Sequence, residues 1–471
     1  MKLKLHFILL ALLIFSFTKA QTKMFYGMTN SGGTNNLGVI FKTDANGDNL
    51  TVVYNFSGSD GSRPDNGKLC YANGLLYGTT GKGGSNNMGV LFSYNPNTET
   101  YTKLHDFDGL NSGRNPYSNV IIASDGKLYG TTLYGGTNDF GTLFEYNIAT
   151  NTLTKKLDFD GTNMGENIYG NVIEATNGNL YGVTNRGGIY DWGVLYEYNY
   201  TTEMYSKLID FDDTTIGRLP QILLEVENNI LYGTASGGGT NGSGTIFEYN
   251  ITTNTFTKKF DFEDSSSGSS PYLSLIKASN GKLYGFTRNG GANNYGVFYE
   301  YNILLESFNK RLDFSSETGF SPTGNLLEAS NGNLYGLTFY GGTNNDGTIF
   351  EYNISTNTFS KKLDFDSSNG SNPKGSLIEI EVSNLGNEEF IQSKADVILW
   401  PNPVNDMIHV KAKEDVQFHV NIYNLMGQEL QSNKKFQNYL QLNMSQLSSG
   451  IYILKVTSKN GNTQTIKFIK S

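Results

Sequence analysis

Short runs of alternating apolar and polar residues, each bounded by Gly, Asn or Asp, fill the chain from Met24 to Val382, and nowhere does a helical period persist. The unit from Asn325 to Phe365 is the clearest. Leu326-Leu327-Glu328-Ala329 predicts a first strand, Asn331-Gly332 a two-residue hairpin turn, and Leu334 to Thr338 a second strand. Gly341-Gly342-Thr343-Asn344-Asn345 predicts a loop, Thr348 to Tyr352 a third strand, Ser355-Thr356-Asn357 a turn and Phe359 to Phe365 a fourth strand. Aromatic and β-branched residues occupy the strands and turn-forming residues the gaps, so the fold class expected is all-β.

The unit repeats. Tyr-Gly recurs at Tyr26-Gly27, Tyr77-Gly78, Tyr129-Gly130, Tyr181-Gly182, Tyr232-Gly233, Tyr284-Gly285 and Tyr335-Gly336, always 51 or 52 residues apart. Seven copies with so little drift predict seven copies of one structural unit. Four strands in that length fit a propeller blade better than the shorter coils of a β-solenoid. The first copy begins at its second strand, Met24 to Thr29, whereas the last is followed by an extra first strand, Ser376 to Val382. Pairing these two ends would close a seven-bladed β-propeller with a C-terminal strand and remove the unpaired edges.

The flanks differ from the repeats. Lys2 and Lys4 precede the apolar run Phe7 to Phe17, which ends at Thr18-Lys19-Ala20. That pattern predicts a secretory signal peptide over residues 1–20, too short to serve as a transmembrane anchor. No cysteine follows the cut, which excludes a lipoprotein anchor. The propeller is expected over 21–382 and a polar linker over 383–395. Over 396–471, runs at Val397 to Trp400, Met407 to Val410, Phe418 to Tyr423, Tyr439 to Asn443, Gly450 to Val456 and Thr465 to Ile469 predict a small Ig-like β-sandwich.

Composition narrows the chemistry. Cys70 is the sole cysteine, so no internal disulfide or thiolate cage can form, and it reads as a small buried hydrophobe on a first strand. Of the four histidines only His105 lies among the repeats, which argues against a histidine triad or a multi-histidine metal site there. The net charge of −9 becomes −12 without the leader's three lysines. The C-terminal region carries eight Lys against five acids, so the repeats carry about −15. Such a surface repels nucleic acid and anionic lipid. No Gly-rich segment joins a strand to a helix, so the Gly-Gly loops are not phosphate cradles.

Residues that break the repeat point to binding. In a propeller the loops from fourth to first strands and from second to third strands emerge on one face. These loops carry Arg63, Arg114, Arg186, Arg218 and Arg288, together with Tyr134, Tyr190, Trp192 and Tyr340. Aromatic faces stack on sugar rings and guanidinium forks grip carboxylates, so the set predicts a site for a glycan, an acidic polysaccharide among them, or for a surface protein. The alternative is a carbohydrate-active hydrolase or lyase with carboxylates in the channel, for which Glu174, Glu225, Glu227 and Glu328 on the first strands are the candidates. Asp106-Phe107-Asp108, Asp158-Phe159-Asp160, Asp210-Phe211-Asp212, Asp261-Phe262-Glu263 and Asp364-Phe365-Asp366 end the fourth strands. Paired carboxylates of this kind can hydrolyse sugars or hold calcium. Their recurrence favours a structural role, with Phe buried between blades and Asp accepting loop N–H bonds. No cofactor is called for.

Three resemblances follow from these residues. Gly-Gly after the second strand and aromatics on the third and fourth strands resemble kelch repeats, although Leu153, Phe256 or Phe359 stands where kelch usually has Trp. The stretch Pro322 to Phe350 is more similar to the bacterial GloVer tandem repeat, which implies an exported repeat protein with no agreed activity. The tail resembles the type A C-terminal (Por) sorting domain of type IX secretion. Its matching residues are Pro401-Asn402-Pro403, the segment Tyr423 to Gly427, the segment Leu447 to Tyr452 with Gly450, and the basic end with Lys467 and Lys470. That likeness implies handling by the type IX machinery, by way of the periplasm, and release or attachment at the outer surface. It says nothing about the cargo's activity.

Overall fold

The computed structural model describes residues 21–65, 67–383, 397–400, 403–412, 417–424, 428–458 and 463–470. The expected leader, most of the linker, Pro401, Asn402 and Gly427 lie outside the described residues. The chain divides into two compact units between Ser383 and Asn384. Among the described residues every regular element is a strand.

The first unit is propeller-like and holds seven antiparallel sheets of four strands in simple succession. In sheet 1 the order is Ile378–Ser383, Gln21–Thr29, Val39–Asp44 and Thr51–Asn55, so the last strand of the unit lies beside its first. That pairing runs for six residues, from Gln21 opposite Ser383 to Tyr26 opposite Ile378. Sheets 2 to 7 occupy residues 70–106, 121–158, 172–210, 218–261, 269–313 and 320–364. The first strand of sheet 6 is broken into Ser269–Pro271 and Ile276–Lys277.

The repeated residues are the ones that join the sheets. Tyrosine of each Tyr-Gly pair is buried, and from sheet 3 onward its hydroxyl donates to a third-strand glutamate, as in Tyr181 to Glu197 at 2.8 Å and Tyr335 to Glu351 at 2.9 Å. The glycine faces a third-strand aromatic in every sheet, from Gly27 opposite Phe41 to Gly336 opposite Phe350. Each fourth strand ends in a fully buried Phe. Phe107, Phe159, Phe211, Phe262 and Phe314 meet the third-strand ring of the next sheet edge-on at 5.3 to 5.7 Å. Phe56 meets Phe92 in the same way, and Phe365 of sheet 7 meets Phe41 of sheet 1. Such pairs contribute about 1 kcal/mol each beyond the area they bury. The circle of contacts is closed: Phe25, Val39 and Phe41 of sheet 1, with Leu377 just before its last strand, share one core with Tyr335, Leu337, Ile349 and Phe365 of sheet 7.

In the second unit a three-stranded sheet (Val397–Trp400, Met407–Ala412, Tyr439–Asn443) and a four-stranded sheet (Glu429–Gln437, Gln417–Asn424, Gly450–Ser458, Thr463–Lys470) share a core. Val397, Ile408, Val410 and Leu442 meet Phe418, Val420, Ile422, Leu454 and Phe468 in it. Glu429–Gln437 was not expected as a strand. It lies at the edge of its sheet, and its polar sequence carries no apolar alternation. Of the sorting motif, Gly450 opens a strand, Tyr452 donates to the Ser448 carbonyl at 2.7 Å and stacks on Phe468, Lys467 and Lys470 lie on the last strand, and Pro403 is exposed.

Candidate functional site

Each chain segment that leaves a fourth strand re-enters the next sheet through one residue with left-handed backbone. Arg63, Asn115, Asn167, Leu219, Ser270, Ser321 and Asn372 occupy this position at φ between 50° and 57°. Proline follows in six of the seven, with Ile168 in the other. Asn adopts this geometry readily, whereas for Arg63 and Leu219 it costs about 1–2 kcal/mol. The residue after the proline or isoleucine is turned into a concave space. These equivalent residues are Asp65, Tyr117, Tyr169, Gln221, Tyr272, Thr323 and Lys374, and all seven line two adjoining cavities of about 680 and 260 Å³. A second set, four residues after the tyrosine of Tyr-Gly, adds Asn185, Ser236, Arg288 and Phe339. Tyr169, Tyr272 and Arg288 belong to both cavities.

Tyr169 also lines a third space of about 20 Å³, room for one water, between Asn119, Asn171, Asn325 and Ser376. These amides tie neighbouring first strands together. Asn119 accepts from the Lys68 N–H at 2.7 Å, and Asn171 both accepts from and donates to the Leu223 backbone at 3.0 Å.

The lining is aromatic and polar. Tyr117 and Tyr169 stack nearly parallel at 6.4 Å. Burial pushes both phenols up to about 12, so they are hydrogen-bond donors at any physiological pH. Asp65 is the one carboxylate, and Lys374 meets it at 2.7 Å. Burial raises the Asp65 carboxyl, while Lys374, Arg63 and Lys82 oppose that rise. Arg288 lies over the Tyr272 ring at 5.5 Å.

Of the nine binding residues expected from the sequence, the structure brings Tyr134, Arg186 and Arg288 into the larger cavity. Arg114 covers Tyr134 at 4.8 Å and forms a two-pronged pair with Asp139 at 2.7 and 3.1 Å. Trp192 is half-buried beneath two guanidinium groups, Arg186 at 5.6 Å and Arg218 at 5.1 Å. Arg218 also pairs with Asp213 at 2.8 Å, and Arg186 more loosely with Asp191 at 3.8 Å. Tyr340 stacks on Phe320, and Tyr190 and Arg63 are exposed; none of the three lines either cavity.

The first-strand carboxylates expected as candidates for a channel site, Glu174, Glu225, Glu227 and Glu328, line neither cavity. Glu174 accepts from Ser124 N–H at 2.8 Å and from the Tyr200 hydroxyl, Glu225 from Thr176, and Glu328 from Ser279. Each thereby fastens one sheet to the hairpin turn of the sheet before it. Glu227 sits 4.0 Å from Lys277. Cys70 is half-buried, and burial pushes its thiol up.

The Asp-Phe-Asp pairs are structural, as their repetition implied. The leading Asp accepts a loop N–H and a lysine: Asp158 takes Thr137 N–H at 2.9 Å and Lys155 at 2.7 Å, and Asp261 takes Thr240 and Lys258 likewise. The second carboxylate fastens its own loop, as Asp108 does through Ser112 N–H and Asp160 through Met164 N–H. Among the described residues no three His, Cys, Asp or Glu side chains gather as a metal requires. Burial works against ionisation of Asp106, Asp158, Asp261 and Asp364, but these donors hold all four below the usual carboxylate range. Their folded-state values are depressed, so the stability they add is complete above the unfolded value of about 3.9 and is lost as pH falls through the folded values. Melting temperature is therefore expected to drop steeply below about pH 4, and less steeply in Asp158→Asn. Equal slopes in the two proteins would contradict this role.

Sequence reasoning missed Tyr117, Tyr169, Gln221, Tyr272 and Lys374. Their signal was available: the residue two after the left-handed position is Asp, Tyr, Tyr, Gln, Tyr, Thr and Lys in the seven copies, polar or aromatic in every one.

Residues 14–174, 162–316 and 264–387 match the family model described as the Gloeobacter/Verrucomicrobia repeat, and residues 398–471 match that of the Secretion system C-terminal sorting domain. A stretch of 91 residues is 30% identical to an endo-acting ulvan lyase of Formosa agariphila, covering 19% of this chain and 18% of the enzyme. The chain thus matches less than a fifth of that relative's length. Two solved structures, candidate 6-phosphogluconolactonases of Bacteroides uniformis and Bacteroides fragilis, superpose with TM-scores of 0.51 and 0.52. They are 12% and 13% identical, over 76% and 78% of this chain and 99% of each of theirs. At that identity the likeness is one of fold.

Proposed function

Because this chain belongs to the Gloeobacter/Verrucomicrobia repeat family and ends in a secretion-system sorting domain, we propose that it is an exported binding protein. Its seven sheets would form a seven-bladed β-propeller that holds a glycan or protein ligand in the axial cavity without transforming it. The sorting domain directs the chain through the type IX machinery to the cell surface or the medium. In this reading residues 1–20 are a signal peptide, 21–382 the propeller, 383–395 a linker and 396–471 an Ig-like sorting sandwich. No helix among the described residues is long and apolar enough to cross a membrane.

The carrying observation is the inner ring. Seven equivalent positions surround one opening, and they hold three tyrosines, a glutamine, a threonine, an aspartate and a lysine, while the scaffold around them repeats. Varied polar and aromatic side chains converging on a concave space are what selective binding requires. An enzymatic reading, a carbohydrate-active hydrolase or lyase, draws on the partial likeness to the ulvan lyase. Hydrolysis needs two placed carboxylates, and the cavities offer Asp65 alone, already bound to Lys374. A phenolic base needs a lowered pKa, whereas burial raises those of Tyr117 and Tyr169.

The test incubates the secreted chain with a panel of insoluble and acidic polysaccharides and measures retained protein and released reducing ends in the same tubes. Retention without release is expected, weakened about tenfold by Tyr169→Ala through loss of one stacking face. Sugar release abolished by Asp65→Asn would make the cavity an active site instead.

A further inference from the structure

We infer that Arg288 is the anchor for the acid group of an anionic saccharide, a carboxylate or sulfate carried on a sugar ring. The inference rests on the binding reading above and names its ligand class. Arg288 differs from Arg186 and Lys374, the other cations that line the cavities, and from Arg114 and Arg218 beside them. Arg114 is neutralised by Asp139, Arg218 by Asp213 and Lys374 by Asp65, and Arg186 lies near Asp191. Among the described residues no carboxylate lies within ion-pair distance of Arg288, and its guanidinium makes no hydrogen bond to them. Tyr272 supports it through the ring face at 5.5 Å, a contact that orients a guanidinium plane without using its N–H donors. It also lines both cavities, so its charge is presented where they join.

A free guanidinium fork inside a concave site is matched to a planar or tetrahedral oxyanion. Its setting matters because the surrounding repeats are strongly acidic: an anion repelled elsewhere on this surface meets an uncompensated positive charge here. The remaining lining suits a sugar. Asn167, Asn185, Gln221 and Asn289 pair donors with acceptors as hydroxyl groups require, and Tyr169 and Tyr272 supply flat apolar faces. An acidic protein partner would need a far broader contact than a recess of this size provides.

The experiment is calorimetric titration of the full secreted chain with oligosaccharide pairs. These are galacturonate and glucuronate oligomers against their methyl esters, and sulfated galactan oligomers against desulfated ones. At least one acidic member is expected to bind ten times more tightly than its neutral partner, and that margin should shrink as salt is raised. Arg288→Gln should erase the margin, and Arg288→Lys should keep part of it, since the charge remains but the fork does not. The side chain is exposed, so melting temperature should hold in both variants; if the Gln variant fails to fold, the Lys variant decides. Equal binding of acidic and neutral partners, or a margin untouched by either variant, overturns the anchor and leaves the binding reading standing. No binding by any member overturns both.

Discussion

Ile380→Asp in the full chain is expected to lower the melting midpoint of the repeat unit by about 10 °C or more, while the transition of the C-terminal unit stays in place. Ile380 lies on the strand that pairs with the first strand of the unit, and it is packed with Tyr26, Met28, Leu69 and Phe92 in the core between sheets 1 and 2. Its near neighbour Leu377 belongs to the core between sheets 7 and 1. These few residues therefore seal both seams at the junction of the chain ends. A buried carboxylate without a partner costs several kcal/mol, a large part of a domain's net stability. Within every other sheet the strands follow one another along the chain and are joined by covalent connections. At this junction only strand pairing and packing hold. Glu381→Gln is the internal control, because Glu381 is on the same strand and exposed; its midpoint should move by no more than about 2 °C. Scanning calorimetry of the two variants decides the matter, and equal shifts would mean that the last strand does not close the circle.

The parts of this fold that could be read in advance are those that repetition amplifies. One four-stranded pattern is ambiguous, but seven copies in step leave little doubt about strand order, and the missing first strand at the start announced its partner near Val382. Burial of Phe in the Asp-Phe-Asp pairs was legible for the same reason. The inner ring was less so. Strand alternation predicts side-chain direction only while the backbone stays extended, and the left-handed residue two positions earlier, Asn115 or Asn167, resets that phase, turning Tyr117 and Tyr169 inward. Arg288 was singled out, but its distinction from Arg114 and Arg218 depends on Asp139 and Asp213, whose approach is a matter of loop packing. Glu174 and Glu328 misled for a related reason. A carboxylate on a first strand can face the axis or the neighbouring hairpin turn, and spacing does not distinguish the two.

Gly336→Ala should destabilise the repeat unit by about 3 kcal/mol, and shortening Phe350 to Leu in the same chain should recover most of that loss. The glycine of each Tyr-Gly pair has ordinary strand backbone, so alanine is not penalised for its conformation there. What it lacks is room. A Cβ on Gly336 would lie 2.3 Å from Cζ of Phe350 and 3.0 Å from Leu326. The ring cannot retreat, because it is fully buried, stacked on Phe359 at 5.1 Å and met edge-on by Phe314 at 5.7 Å. Phe350→Leu alone loses ring contacts and should cost about 1–2 kcal/mol, so the double variant should be more stable than the sum of the singles predicts. Gly332→Ala separates this steric effect from a backbone one. That glycine has φ of 79° in the hairpin turn with nothing within 4 Å of its would-be Cβ, so its cost of about 1 kcal/mol should be indifferent to Phe350. Denaturant unfolding of the two cycles reads the difference directly. A cycle at Gly336 as additive as that at Gly332 would mean that the repeated glycine does not exist to seat the aromatic ring. The same interlock stands in every sheet, with would-be Cβ contacts of 2.3 to 2.6 Å to the facing ring, so one such result accounts for Tyr-Gly throughout the chain.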